Sequence, residues 1–207
     1  MPQRAPEPIS PAEIGLERAL LFNFAIHALA LLGMAALLLP TLPGGSGVDD
    51  PARILAIAEH PWRFRLGWLP WQLCAAADLW LAVAMVRARF LPRLGSVAVL
   101  VLTLAAVVPD QYAQLLWVTR GVEMAQRDPS QYLAFEAAIF PLTAGWGALL
   151  YTLAALGWTY CFACAGTWSQ ALTWLSIPLW SCMAVAVVSP LLPSELRPSP
   201  GFISKAN

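Results

Sequence analysis

Lysine is all but missing from this chain. One lysine, Lys205, stands among 207 residues, close to the C-terminus. An intramembrane Schiff base, or any chemistry on a buried lysine amine, is thereby excluded. Charge of either sign is scarce as well. Asp, Glu, Lys and Arg make up 12% of the chain, where soluble domains carry about 25%. Twelve basic and twelve acidic residues cancel, so no charge field points to nucleic acid as a partner. The two histidines, His27 and His60, fall at different depths, which disfavours a bis-histidine haem or a zinc site. P-loop, G-x-S-x-G and H-E-x-x-H patterns are all absent. No cofactor and no metal is expected.

All four cysteines (Cys74, Cys161, Cys164, Cys182) lie inside apolar runs, so a secreted disulfide framework is excluded. Cys161-Phe-Ala-Cys164 has the C-x-x-C spacing of quinone-coupled thiol oxidoreductases of the vitamin K epoxide reductase type. That chemistry needs a second, loop-borne cysteine pair, and Cys74 and Cys182 sit in other spans. The cysteines read as small buried hydrophobes.

What the chain has is apolar surface: 59% hydrophobic residues and a mean hydropathy of +0.64. A helix needs about 20 mostly apolar residues to cross about 30 Å of hydrocarbon. Segments 19–39, 66–86, 94–118, 132–164 and 171–192 meet that test. The expected fold is all-α, a polytopic membrane bundle of five transmembrane helices plus a short interfacial helix. Residues 1–18 read as a polar, proline-rich N-terminal tail, 19–192 as a single membrane domain and 193–207 as a C-terminal tail. The first run is longer than a signal-peptide core, and PTLPGG after it offers no small-residue cleavage site, so a retained helix is expected.

The fourth segment is too long for a simple crossing. Its start is expected along the interface, with Pro141 kinking the chain where the true span begins. After PTLPGGSGVDDP, Asp50 and Pro51 suit the N-cap and first turn of a short helix over 52–60. Ile54, Leu55 and Ile57 are available for burial there, and Pro61 ends it. The tight basic loop RARFLPR, set against the polar first loop, favours an N-terminus inside, although the full arginine tally runs the other way. An integral, multi-pass membrane location is expected.

Ionisable groups at bilayer depth cost about 2.5–3.5 kcal/mol each on insertion scales, which makes them functional candidates. Asn23, His27, Asp78, Asp110 and Glu136 are such polar interruptions. His27 and Asp78 each lie 12 residues from span ends at the same membrane face, a depth of roughly 18 Å. They are placed to pair across antiparallel helices, either to satisfy each other or to handle a proton. Thr103, Asp110, Gln114 and Trp117 share one face of the third span, and Glu136, Phe140, Thr143, Gly147 and Tyr151 one face of the fourth. Glu136 reaches the depth of Asp110 if the helix enters the bilayer at Tyr132, and is interfacial if it enters after Pro141. Gly145 and Gly147 offer a small face for close packing.

Two readings of these residues stand side by side. In one, Asp78, Asp110 and Glu136 are acid/base groups in a cavity, and His27, His60, Arg63, Gln114, Arg120 and Tyr151 contact a lipid-like ligand. In the other, buried polar groups fix helix packing, while Arg63, Arg65 and Arg120 snorkel beside a belt of Trp62, Trp68, Trp71 and Trp117.

HPWRFRLGWLPW, following a proline/glycine loop, and the later LLYTLAAL run resemble bacterial multi-pass membrane proteins similar to the DUF4386 group. The resemblance implies a bacterial polytopic membrane protein and no particular reaction. The expected function is therefore that of an accessory or lipid/small-hydrophobe-binding membrane protein. The alternatives are a small intramembrane isomerase or cyclase, and a small transporter acting as a homo-oligomer. Expected partners are membrane lipids, a lipid-like small molecule, and a second copy or a membrane-complex subunit.

Overall fold

The computed structural model describes residues 10–42 and 48–188. Expectations for residues 1–9, for 43–47, for the last four residues of the fifth span and for the tail 193–207 lie outside the described residues. Within them the fold is a helical bundle without strands, and five helices are long and apolar enough to cross a membrane.

α1 (Pro11–Gly33) starts well ahead of the apolar run at Ala19. The cause is local. Ser10 and Glu13 form a reciprocal capping box, Ser10 N donating to Glu13 Oε2 at 2.7 Å and Glu13 N to Ser10 Oγ at 3.3 Å, with Pro11 in the first turn. The helix then runs on through a π turn, Met34–Leu38, into a short 3₁₀ end, Leu39–Thr41.

α2 (Asp50–Glu59) is the short helix expected from sequence, with one change of register at its cap. Asp49, not Asp50, is the N-cap, accepting from Ala52 N at 2.9 Å. Ile54 and Ile57 are buried, as the pattern suggests, whereas Leu55 is largely exposed. α3 (Pro61–Arg87) follows directly, His60 forming the break between the two helices.

α4 (Arg93–Leu116) continues through a π turn, Trp117–Gly121, into α5 (Val122–Arg127). This helix is longer than the expected 94–118. α6 (Pro129–Phe140) passes through a π turn at Pro141–Gly147 into α7 (Ala148–Cys164). The chain thus absorbs Pro141 in a widened turn, since proline lacks the amide hydrogen a regular helix would use there. The combined helix Pro129–Cys164 has 36 residues, ~54 Å at 1.5 Å per residue, far beyond the hydrocarbon thickness. Its α6 end lies beside α5, and α2 packs against both.

α3 lies between α1 and α4, α4 packs on α7, and α8 (Gln170–Val188) touches the bundle mainly through α7. At the α2 end the core is aromatic: Trp68 and Trp117 stack at 5.1 Å, with Phe64, Tyr132 and Ile57 around them. At the opposite end Leu16, Leu81, Met85, Val99 and Cys161 form a separate cluster. Exposed apolar faces are extensive, as on α8 at Trp174, Leu175 and Val185, in keeping with a lipid surround.

Close helix contact depends on Gly67. A methyl group there would sit 2.5 Å from Leu38 Cγ, and Leu38 is fully buried. Gly67→Val is expected to lower stability by about 1–3 kcal/mol through overpacking, read as an earlier thermal transition in detergent. An unchanged transition would mean that α1 and α3 are free to move apart.

Candidate functional site

The three candidate carboxylates are each met by a side-chain donor from another helical segment. Glu136 is the one held by an ion pair to an arginine. Arg53, 2% exposed, reaches from α2 to α6 and donates through Nη1 to Glu136 Oε1 and through Nη2 to Oε2, both at 2.7 Å. Such two-pronged pairing is the strongest geometry available to an arginine and a carboxylate. The remaining guanidinium hydrogens go to Asp50 Oδ1 (2.8 and 3.2 Å) and to the Thr41 carbonyl at 3.2 Å. Tyr132 OH donates to Glu136 Oε1 at 3.4 Å. Burial by itself would lower the pKa of Arg53, but its hydrogen bonds to Glu136 and Asp50 overcome it and hold the guanidinium above its ordinary value. Arg53 stays charged at every accessible pH, so it adds no alkaline limit to stability.

Asp110 is the second. Gln114 Nε2 and Gln111 Nε2 donate to its Oδ2 at 2.9 and 3.1 Å, and Thr143 Oγ1, from the π turn before α7, donates to its Oδ1. Gly147 permits this approach: a Cβ there would lie 3.1 Å from the Asp110 Cβ and 3.0 Å from the Leu142 carbonyl. The expected small-residue face thus has a specific use beside Asp110.

Asp78 is the third, and its first partner differs from the one sought. Asn23 Nδ2 of α1 donates to Asp78 Oδ1 at 2.5 Å. His27 Nε2 stands 3.9 Å from the same oxygen, beyond hydrogen-bond range, while its Nδ1 is 2.9 Å from the Asn23 carbonyl. His27 and Asp78 do come near each other across α1 and α3, but Asn23, one turn earlier, makes the bond.

Asp78 stands on α3 and Asp110 on the neighbouring α4. Tyr151 OH is buried without a hydrogen-bond partner among the described residues, as is Gln114 Oε1. Glu136 belongs instead to the α2 layer.

The arginine mouth does not join these carboxylates. Among the described residues no hydrogen bond links His60, Arg63 or Arg120 to Asp78, Asp110 or Glu136. His60 and Arg120 are exposed. His60 and Arg63 line a small cavity of about 40 Å³ with Leu37, Thr41 and Phe64. Arg65 Nε donates at 3.0 Å to the carbonyl of Val118 in the π turn of the neighbouring helix. Cys161 is fully buried against Gly95, and Cys164 is exposed.

A larger groove, about 450 Å³, opens between α2, α5 and α6. Its walls are apolar, from Ile54, Leu55, Ala58, Ala125, Pro129 and Leu133, with Asp50 and Ser130 as its polar residues. Sequence reasoning missed both this groove and Arg53. Each depends on α2 lying against a helix some 80 residues later (Arg53 and Glu136 are 83 apart), which no local pattern announces. The one available signal was an arginine placed among the apolar positions Ile54 and Ile57 of a short helix.

No known protein family, no curated protein and no solved structure matches this chain.

Proposed function

We propose that this is an accessory protein of a bacterial cytoplasmic membrane that binds a lipid-like apolar molecule, and that its deep carboxylates clasp helices together. The observation that carries this reading is that each carboxylate is taken up by another segment: Asp78 by α1, Asp110 by the turn before α7, Glu136 by α2. Buried polar groups satisfied in this way fix helix register. An isomerase or cyclase would instead need an acid with a free edge facing its substrate. The apolar groove beside α2 supplies a place for a hydrophobic guest, and its volume falls in the ~300–1,000 Å³ range of small-molecule sites.

The reading is tested by purifying wild type, Asp78→Asn and Asp110→Asn in mild detergent and profiling the co-purifying lipids by mass spectrometry. Unchanged lipid profiles with lower thermal stability are expected. Loss of one lipid species, or accumulation of an altered one, in either variant would sink the clasp reading in favour of a carboxylate-dependent enzyme.

A further inference from the structure

Arginine is withdrawn from the surface at two of the described positions. Arg53 is buried and Arg63 half-buried, whereas every other described arginine is exposed. Arg53 has Glu136 and Asp50 as counter-charges. Arg63 has no ion pair and no side-chain hydrogen bond among the described residues, and the same holds for His60. A half-buried cation without an acceptor is costly, which favours an anionic ligand beside it.

Both side chains line one cavity of about 40 Å³, where the 3₁₀ end after α1 meets the break between α2 and α3. Leu37, Pro40, Ala56 and Phe64 form its apolar walls. Thr41, the remaining polar residue, donates its hydroxyl to the Leu38 carbonyl at 2.7 Å, and its own carbonyl is taken by Arg53. No carboxylate lines the cavity. Glu59, next to His60 in sequence, is exposed and is not one of its walls. α3 begins here without a side-chain cap, so the partial positive charge of its first turn adds to that of Arg63.

We propose that this cavity binds a phosphate group, carried by a lipid head or free in solution. A guanidinium offers two parallel N–H donors to phosphate oxygens, and an imidazole offers a third. One water centre needs roughly 10–15 Å³, so a cavity of about 40 Å³ suits one compact tetrahedral group and excludes an acyl chain. His60 is exposed, which leaves room for the rest of a phosphorylated molecule to lie outside. The cavity shares no lining residue with the apolar groove beside α2. The proposal stands whether or not that groove takes a lipid.

Two arms separate the sources. In the first, the full chain in a phosphate-free sugar detergent is titrated calorimetrically with inorganic phosphate, against chloride at equal ionic strength. In the second, it is reconstituted into discs of a neutral glycolipid holding equal amounts of phosphatidic acid, diacylglycerol and a fatty acid with matching chains. Retained lipids are then counted by native mass spectrometry. One phosphate bound per chain in the first arm assigns the site to free phosphate. Several-fold retention of phosphatidic acid over the other two assigns it to a lipid head, and a response in both arms means that either carrier serves. Arg63→Gln is expected to weaken the responding arm about ten-fold or more. Ala56→Leu, which fills the cavity and leaves every charge in place, should act likewise. Arg120→Gln, at an exposed arginine outside the cavity, should change nothing. No response in either arm overturns the proposal, as does wild-type behaviour of Arg63→Gln or of Ala56→Leu. A loss in Arg120→Gln as large as in Arg63→Gln would mark general charge attraction and overturn it too, as would fatty acid retained as well as phosphatidic acid.

Discussion

Arg53→Ala is expected to destabilise the protein by about 3–5 kcal/mol, because it leaves Glu136 buried without its cation, and Glu136→Ala by less, because Arg53 keeps its bonds to Asp50. Arg53 is 2% and Glu136 7% exposed, so water cannot readily replace the missing partner. The double variant Arg53→Met/Glu136→Leu is expected to recover most of the loss, since apolar residues of similar volume carry no desolvation penalty. Thermal or denaturant unfolding in detergent, arranged as a double-mutant cycle, measures the coupling. A coupling near zero would mean that α2 does not hold its place on α6. The exposed pair Arg127–Glu123 is the internal control, with an expected effect below about 1 kcal/mol. Single variants should also make α2 more sensitive to protease.

Asp110→Leu is expected to cost about 3 kcal/mol, from the buried donors it abandons at about 1–3 kcal/mol each. Gln114 is deeply buried and its amide then has no acceptor at Asp110. Thr143 recovers part of its loss by turning to a carbonyl of its own helix, as Thr103 and Thr152 do. Asp110→Asn keeps the shape and one acceptor oxygen, so a loss of about 1 kcal/mol is expected from the weaker, uncharged hydrogen bonds. Thr143→Val should fall between wild type and Asp110→Leu. If Asp110→Leu unfolds at the wild-type temperature, the contact between α4 and the turn before α7 is held by packing at Gly147 alone.

These two clasps were unequally visible beforehand. The face carrying Thr103, Asp110, Gln114 and Trp117 is a matter of helical periodicity, and all four are buried. Glu136, Thr143 and Gly147 meet different partners despite their common spacing, Glu136 facing α2 and the other two α4. Arg53 was not visible in this way. Its neighbours Ile54 and Ile57 marked α2 as one-sided, but an arginine beside them reads equally as a surface residue. The start of α1 was legible and overlooked: Ser10, Pro11 and Glu13 carry a capping signal that extends the helix into polar sequence. Conversely, the π turns at Trp117–Gly121 and Pro141–Gly147 have no composition of their own. Each is a compromise between one helix's regular hydrogen bonding and its packing on others.

From the sequence pattern alone follow the helical class, the five long apolar helices and the short α2. These depend on rise per residue, period and the cost of exposing backbone to lipid, all of which act locally along the chain. Tertiary structure alone decided who meets whom: Asn23 rather than His27 at Asp78, Thr143 at Asp110, Arg53 at Glu136, and an apolar groove where α2 crosses α5 and α6. Partner choice depends on how helices rotate and slide against one another, and that is set by the sum of many packing contacts. No single stretch of sequence contains it.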